Sequence, residues 1–168
     1  ISFTDVKVPK ENRIGEDGFG FVFAMKTLSG GRIGIASQAL GLASGAMERA
    51  IAYSKERKAF GTEIKNHQII QFKIADMATR IDAARLLCFR AAWRKDTGKD
   101  YTESAAMAKV FSSETAMWTT TEAVQIHGGY GYVKEYHVER MMRDSKITQI
   151  YEGTSEMQRI VISRAILR

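Results

Sequence analysis

Apolar residues recur at spacings of three and four along most of the chain, and this periodicity predicts long amphipathic helices. Between about Val22 and Arg57 the stripe holds Ile33, Ala36, Leu40, Ala43, Met47, Ala50 and Ile51. Gly30–Gly31 interrupts it, and each glycine costs a helix about 1 kcal/mol relative to Ala, so a break or irregular start is expected there. A second stripe, Gly34, Ser37, Gly41 and Gly45, is small enough to let another helix approach closely. Phe60–Gly61 ends this helix. Asn66 is placed to cap a second, running to about Asp96 and stopping near Gly98. Its apolar face comprises Ile69, Phe72, Ile74, Met77, Ile81, Ala84, Leu87 and Ala91. Thr102 is placed to cap a third, to about Ile126, ended by Gly128–Gly129. Residues 137–147 predict a short fourth, and Ser155 with Gln158 has the spacing of a capping box that opens a last helix. Only residues 1–8 alternate, with Ile1, Phe3, Val6 and Val8 apolar, and read as a strand ended by Pro9. A lone strand is unstable, so its sheet must lie elsewhere. The predicted fold is all-α: an up-down four-helix bundle with short links, preceded by a short N-terminal strand.

Composition narrows this picture little. The 168 residues suit one domain with a core, and one proline, Pro9, leaves the helices unbroken. The formal charge of +6 favours anionic partners; nucleic acid, an acidic membrane and a phosphorylated cofactor all fit. The longest uncharged run, between Arg32 and Glu48, is too short to span a bilayer, so no membrane span is expected. The N-terminus lacks the apolar region of a signal peptide. Without an initiating Met, the chain reads as a processed protein or an excised piece. Cys88 has no intrachain partner, which suits a reducing compartment.

Several functional motifs fail on inspection. Asp17-Gly-Phe-Gly-Phe-Val-Phe-Ala24 resembles the aromatic strand of RNA-recognition domains, but it opens on Asp, ends on Ala and runs into a helix. Nucleic-acid binding is therefore set aside. No Glu-x-x-His pair occurs, and His67, His127 and His137 share no ligand spacing, so no metal is expected. Cys88 sits mid-helix and reads as a packed thiol.

The informative stretch is Gln149-Ile-Tyr-Glu-Gly-Thr-Ser-Glu-Met-Gln-Arg159. Glu152 precedes Gly153 at a break between helices, where the glycine permits close approach to a ligand. Ile150 and Tyr151 offer the apolar cover that strengthens a carboxylate as a base. From these residues alone, a solvated Glu pairing with a helix dipole is the commoner reading. Gln125-Ile-His-Gly-Gly-Tyr-Gly131 is either a helix stop or a set of backbone N–H groups facing a phosphate. Arg57 either complements a helix C-terminus or pairs with a pyrophosphate, with Phe60 packing on a flat ring.

Taken in order, Glu56-Arg-Lys-Ala-Phe-Gly61, Gln125-Ile-His-Gly-Gly129 and Ile150-Tyr-Glu-Gly-Thr-Ser-Glu156 resemble the acyl-CoA dehydrogenase family. Gly31-Arg-Ile-Gly-Ile-Ala36 and Phe3-Thr-Asp-Val-Lys-Val-Pro9 match it too, so the resemblance covers the whole chain. It implies that residues 1–20 are the end of a middle β domain and its linker, and that residues 21–168 are the C-terminal helical domain that binds FAD and acyl-CoA. It implies Glu152 as the catalytic base, with Gly30, Gly31, Arg32, Tyr151 and Gly153 at the substrate. Arg57, Phe60, Gln68, Gln125, Gly128 and Gly129 would contact the FAD of a neighbouring subunit; Thr154 and Glu156 would contact the FAD of their own.

The implied reaction oxidises a short-chain, butyryl-CoA-like thioester to a trans-2-enoyl-CoA. Glu152 takes the α-proton, the β-hydride passes to FAD, and hydrogen bonds to the thioester carbonyl, one of them from the main-chain N–H of Glu152, stabilise the developing enolate. Relatives of the isovaleryl type carry the base at the position of Gly31, which here has no carboxylate. The resemblance further implies a dimer or tetramer, an electron-transferring flavoprotein as acceptor, and a bacterial cytoplasmic or mitochondrial matrix location. The chain without its β domain is expected to hold FAD weakly and to be inactive. Competing readings are a non-catalytic oligomerisation bundle and an acyl-CoA oxidase-like relative.

Overall fold

A computed structural model describes residues 1–168. Five helices follow in order: α1 (Gly20–Glu56), α2 (Gln68–Asp96), α3 (Thr102–His127), α4 (Val138–Thr148) and α5 (Ser155–Ile166). Between α1 and α2 lies a two-residue hairpin, β1 (Lys58–Ala59) with β2 (Thr62–Glu63). The all-α bundle predicted from the periodicity is the observed architecture. No helix is long and apolar enough to cross a membrane.

α3 is the central element and packs against each of the other four helices. It buries 14 of its 26 residues, and those are mostly Ala, Ser and Thr. Such small side chains let helices come close, and the hydroxyls satisfy themselves on their own helix. Thr120 Oγ1 donates to Ala116 O at 2.7 Å, and Ser113 Oγ to Val110 O at 3.1 Å. The facing stripe of α1 is Ala36, Ala39, Ala43, Ala46 and Ala50, all fully buried. With Met77 and Ile81 of α2 these residues form the core.

The local differences from expectation have physical causes. Residues 1–9 form no strand, because no other strand lies beside them. α1 runs through Gly30–Gly31 without a break. The Gly34–Ser37–Gly41 stripe faces outward, and only Gly45 meets a neighbour, Met141. Ile69 and Phe72 are exposed, so the apolar face of α2 begins in earnest at Met77. Asn66 caps nothing; its amide donates to Thr62 Oγ1. Thr102 is the first residue of α3 and receives rather than gives the cap, its N–H donating to Asp100 Oδ1. Cys88 is buried as expected, its thiol paired with Ser112 Oγ at 3.3 Å. α2 stops in a Schellman turn, with Gly98 at φ +69° and Lys99 N–H donating to Arg94 O.

After α3 the chain turns back so tightly that Gly131 has no room for a side chain. A Cβ there would lie 2.5 Å from Val124 O and 2.8 Å from His127 Cβ. Gly131→Ala is therefore expected to destabilise the protein by about 2–3 kcal/mol, since the obstruction is backbone and cannot swing aside. A denaturant melt checks this; an unchanged midpoint would show that the turn yields.

Candidate functional site

The α4–α5 connection is one of two places where a left-handed non-glycine residue precedes a left-handed glycine; Phe60–Gly61 is the other. Glu152 and Gly153 are consecutive left-handed residues, at φ +54° and +89°. For a non-glycine residue this costs on the order of 1 kcal/mol or more and persists only where surrounding contacts impose it. The contacts come from three helices. Tyr151 Oη donates to Gln38 Oε1 of α1 at 2.6 Å. Lys109 Nζ of α3 donates to Gly153 O at 2.7 Å. Gln158 Nε2 of α5 donates to the same carbonyl at 2.8 Å and to Glu152 O at 3.3 Å. α5 itself begins one residue earlier than the capping-box reading predicts. Thr154 is its N-cap and accepts from Met157 N–H, while Ser155 Oγ is buried without a partner and Gln158 reaches back to the turn.

This turn seats the Glu152 carboxylate on α1. A Cβ at position 31 would stand 2.5 Å from Glu152 Oε2, so the carboxylate occupies the space that only Gly31 leaves open. The predicted helix break at Gly30–Gly31 is instead a notch in an intact helix. Arg32 follows it, 9% exposed, with its Nε unpaired. Burial holds its guanidinium below the usual arginine range, and the Glu152 charge opposes that shift. Glu152 thus faces two cations, Arg32 and Lys109. Its main-chain N–H makes no hydrogen bond within the chain. A Cβ at position 30 would lie in ordinary contact with Lys95 Nζ, at 3.6 Å.

The second group of predicted residues lies elsewhere. Arg57, Gln125, Gly128 and Gly129 line one cleft of about 470 Å³ with Tyr53, Tyr130 and His127. At about 1.5 Å per helical residue, Arg57 is about 40 Å along α1 from Gly31. Phe60, at the hairpin tip, is 97% exposed and left-handed at φ +51°, presented away from its own chain except for an edge contact with His67. Gln68 starts α2 on the exposed surface beside it. Nothing lies within 4 Å of a Cβ at Gly128 or Gly129, so their backbone is open to close approach. Thr154 and Glu156 form a third, separate group at the N-terminus of α5. There its own backbone N–H and then the Thr154 hydroxyl hold the Glu156 carboxyl below its usual value.

Two features escape the sequence reading. Lys109 sits at an interior position of α3, among Ala105, Ala106, Ala108 and Ser112, and that spacing was the available signal. His127 stacks on Tyr53 with ring centroids 4.2 Å apart. Its Nδ1–H donates to Ala123 O, and burial keeps its pKa below the usual histidine value. It therefore serves as a flat, neutral wall of the cleft.

Comparison with known proteins identifies the family. The family model described as "Acyl-CoA dehydrogenase, C-terminal domain" matches residues 18–167. The short-chain specific acyl-CoA dehydrogenase of Megasphaera elsdenii is 57% identical over the whole chain, which covers 44% of that relative. The caffeyl-CoA reductase–Etf complex subunit CarC of Acetobacterium woodii is 55% identical with the same coverage, 100% of this chain and 44% of CarC. The structure of butyryl-CoA dehydrogenase from Megasphaera elsdenii superposes with a TM-score of 0.97 at 57% identity, over 99% of this chain and 43% of that one. The chain thus spans less than half the length of these relatives.

Proposed function

The chain belongs to the acyl-CoA dehydrogenase family, and on that premise we propose that it is the C-terminal helical part of a short-chain, butyryl-CoA-like acyl-CoA dehydrogenase. Residues 1–20 are then the end of a β domain and its linker. The observation that carries this reading is the Glu152 carboxylate held over Gly31 by a left-handed turn. A helix has been hollowed and a turn strained to place one carboxylate.

The residues fit FAD. The cleft at Arg57 offers a cation for a pyrophosphate, bare glycine backbone for close approach, and stacked rings as walls. The exposed Phe60 and Gln68 extend that surface. No single dinucleotide spans the distance from this cleft to Glu152. Arg57, Phe60, Gln68, Gln125, Gly128 and Gly129 therefore serve the FAD of a second subunit, while Thr154 and Glu156 serve that of their own. This requires a homo-oligomer, a dimer or a tetramer. Bound FAD supplies the acceptor for the hydride that leaves the β-carbon.

The chain's own work is proton abstraction. Glu152 takes the α-proton, and the C–H electron pair moves into the Cα–C bond as negative charge builds on the thioester oxygen. The free N–H of Glu152 is a donor available to that oxygen, and the cations Arg32 and Lys109 add to the positive field around the turn. Gly30, Gly31, Arg32 and Tyr151 serve the acyl-CoA, and Gly153 lies beside its thioester. Loss of the β-hydride then completes the trans-2-enoyl-CoA. An electron-transferring flavoprotein fits as acceptor, since CarC is by name a subunit of an Etf complex. A bacterial cytoplasm or mitochondrial matrix suits such a partner.

The test uses the chain extended by the N-terminal segment its relatives carry, loaded with FAD and mixed anaerobically with butyryl-CoA. Rapid bleaching of the flavin is expected. A flavin that stays oxidised with butyryl-CoA, while caffeyl-CoA or another enoyl-CoA reoxidises reduced flavin, would overturn the short-chain substrate and keep the family chemistry.

A further inference from the structure

Lys109 is the largest fully buried side chain in the protein. Burying a cation is unfavourable by several kcal/mol unless something compensates. Burial here draws its pKa down to about 8, and the nearby charge of Arg32 acts in the same direction. Yet Lys109 forms no ion pair, and its one hydrogen-bond acceptor is Gly153 O. Two other cross-helix pairs made by α3, Lys73–Glu122 and Arg159–Glu114, each join a cation to a carboxylate, as structural lysines and arginines ordinarily do. Lys109 instead spans from the N-terminal third of the central helix to the backbone of one strained turn.

We propose that Lys109 is a positioning residue. With Gln158, its ammonium clamps the Gly153 carbonyl and fixes the left-handed Glu152–Gly153 turn that seats the Glu152 carboxylate over Gly31. The inference rests on the reading of Glu152 as the base. The geometry has the form such a clamp needs. One carbonyl takes two donors from two different helices, at 2.7 and 2.8 Å, which sets both its direction and its distance from α3. On the other side of the Glu152–Gly153 pair, Tyr151 is tied to Gln38. The turn is thereby registered to α1, α3 and α5 at once. Without Lys109 the turn keeps its ties to α1 and α5 and loses the one to the central helix. An ammonium donates more strongly than an amide, which offsets the strain of a left-handed glutamate.

The experiment uses the FAD-loaded protein with its N-terminal segment. Lys109→Met keeps length and bulk but removes the donor. Flavin content is expected to hold and the melting temperature not to fall, since a buried charge is gone. KM for butyryl-CoA should stay within about threefold, while kcat falls about 10- to 100-fold, the loss expected when a reacting group is displaced by ~1 Å. A second readout needs no hydride transfer. Acetyl-CoA has α-protons and no β-carbon, and its exchange into deuterated water, followed by NMR, should slow in parallel. A third moves the base off the turn. In Gly31→Glu with Glu152→Gly the carboxylate rides on α1, and the penalty for Lys109→Met should shrink at least about fivefold. If Lys109→Met does not fold, Gln158→Met removes the other donor and should show the same kcat-only loss. Unchanged kcat and exchange, or an equal penalty with the base on α1, overturns the positioning role. A failure of the unsubstituted protein to exchange or bleach instead overturns the reading of Glu152.

Discussion

In the FAD-loaded protein carrying its N-terminal segment, Glu152→Gln is expected to slow butyryl-CoA-dependent bleaching by about 10³-fold or more, the scale of a lost general base. Glutamine matches glutamate in shape, so the turn, the contacts of Lys109 and Gln158 with its backbone, and the free N–H all survive. Only the proton acceptor disappears. No other carboxylate can take its place: position 31 has no side chain, and Glu156 lies exposed at the start of α5. Stability should change modestly, because Arg32 loses the charge that opposes its desolvation. Stopped-flow absorbance of the flavin checks the rate, and the flavin-to-protein ratio checks that binding is intact. Equal bleaching by both proteins would place the base elsewhere. If neither bleaches, the substrate class is wrong.

The long helices were legible because nothing but the 3.6-residue period organises most of this chain. The details that failed share one cause: they depend on what lies across the interface. Residues 1–8 alternate as a strand does, but pairing needs a neighbour, and none is present. Asn66, Thr102 and Ser155 are sound capping residues by type; the cap falls to whichever residue the chain bends at, and Thr154 rather than Ser155 is that residue. Of two small-residue stripes on α1, the alanine stripe packs and the Gly34–Ser37–Gly41 stripe does not. Sequence spacing cannot tell them apart, because both are small and both recur.

The site divides in the same way. Glu152 by itself read as a solvated residue, and the ordered motifs around it raised it to a base. The structure adds a geometry that suits this proposed role, the notch at Gly31. Lys109 was passed over because a lysine within a helix ordinarily reads as part of a solvated face, and its acceptor lies 44 residues away, so the small residues around it were the one signal of its burial. Gly31 was misread for a related reason. Helix propensity counts a glycine as a weak point, and here it is an empty volume reserved for another residue's side chain.

Gly31→Ala follows from that distinction and should move stability and activity in opposite directions. Within an intact helix, Ala in place of Gly is worth up to about 1 kcal/mol, so the melting temperature should rise or hold. The new Cβ would meet Glu152 Oε2 at 2.5 Å, closer than non-bonded atoms approach. The obstruction is the far end of a flexible side chain, so the carboxylate moves and the backbone does not. A base displaced by ~1 Å from its substrate carbon loses about 10²-fold in rate. Thermal melts and anaerobic bleaching with butyryl-CoA measure the two effects on the same sample. A variant both more stable and about 10²-fold slower would show that the helix gave up stability to make room for the base. A variant that keeps its rate would show that the carboxylate works from somewhere other than the notch, and the role of Gly31 would fall with it.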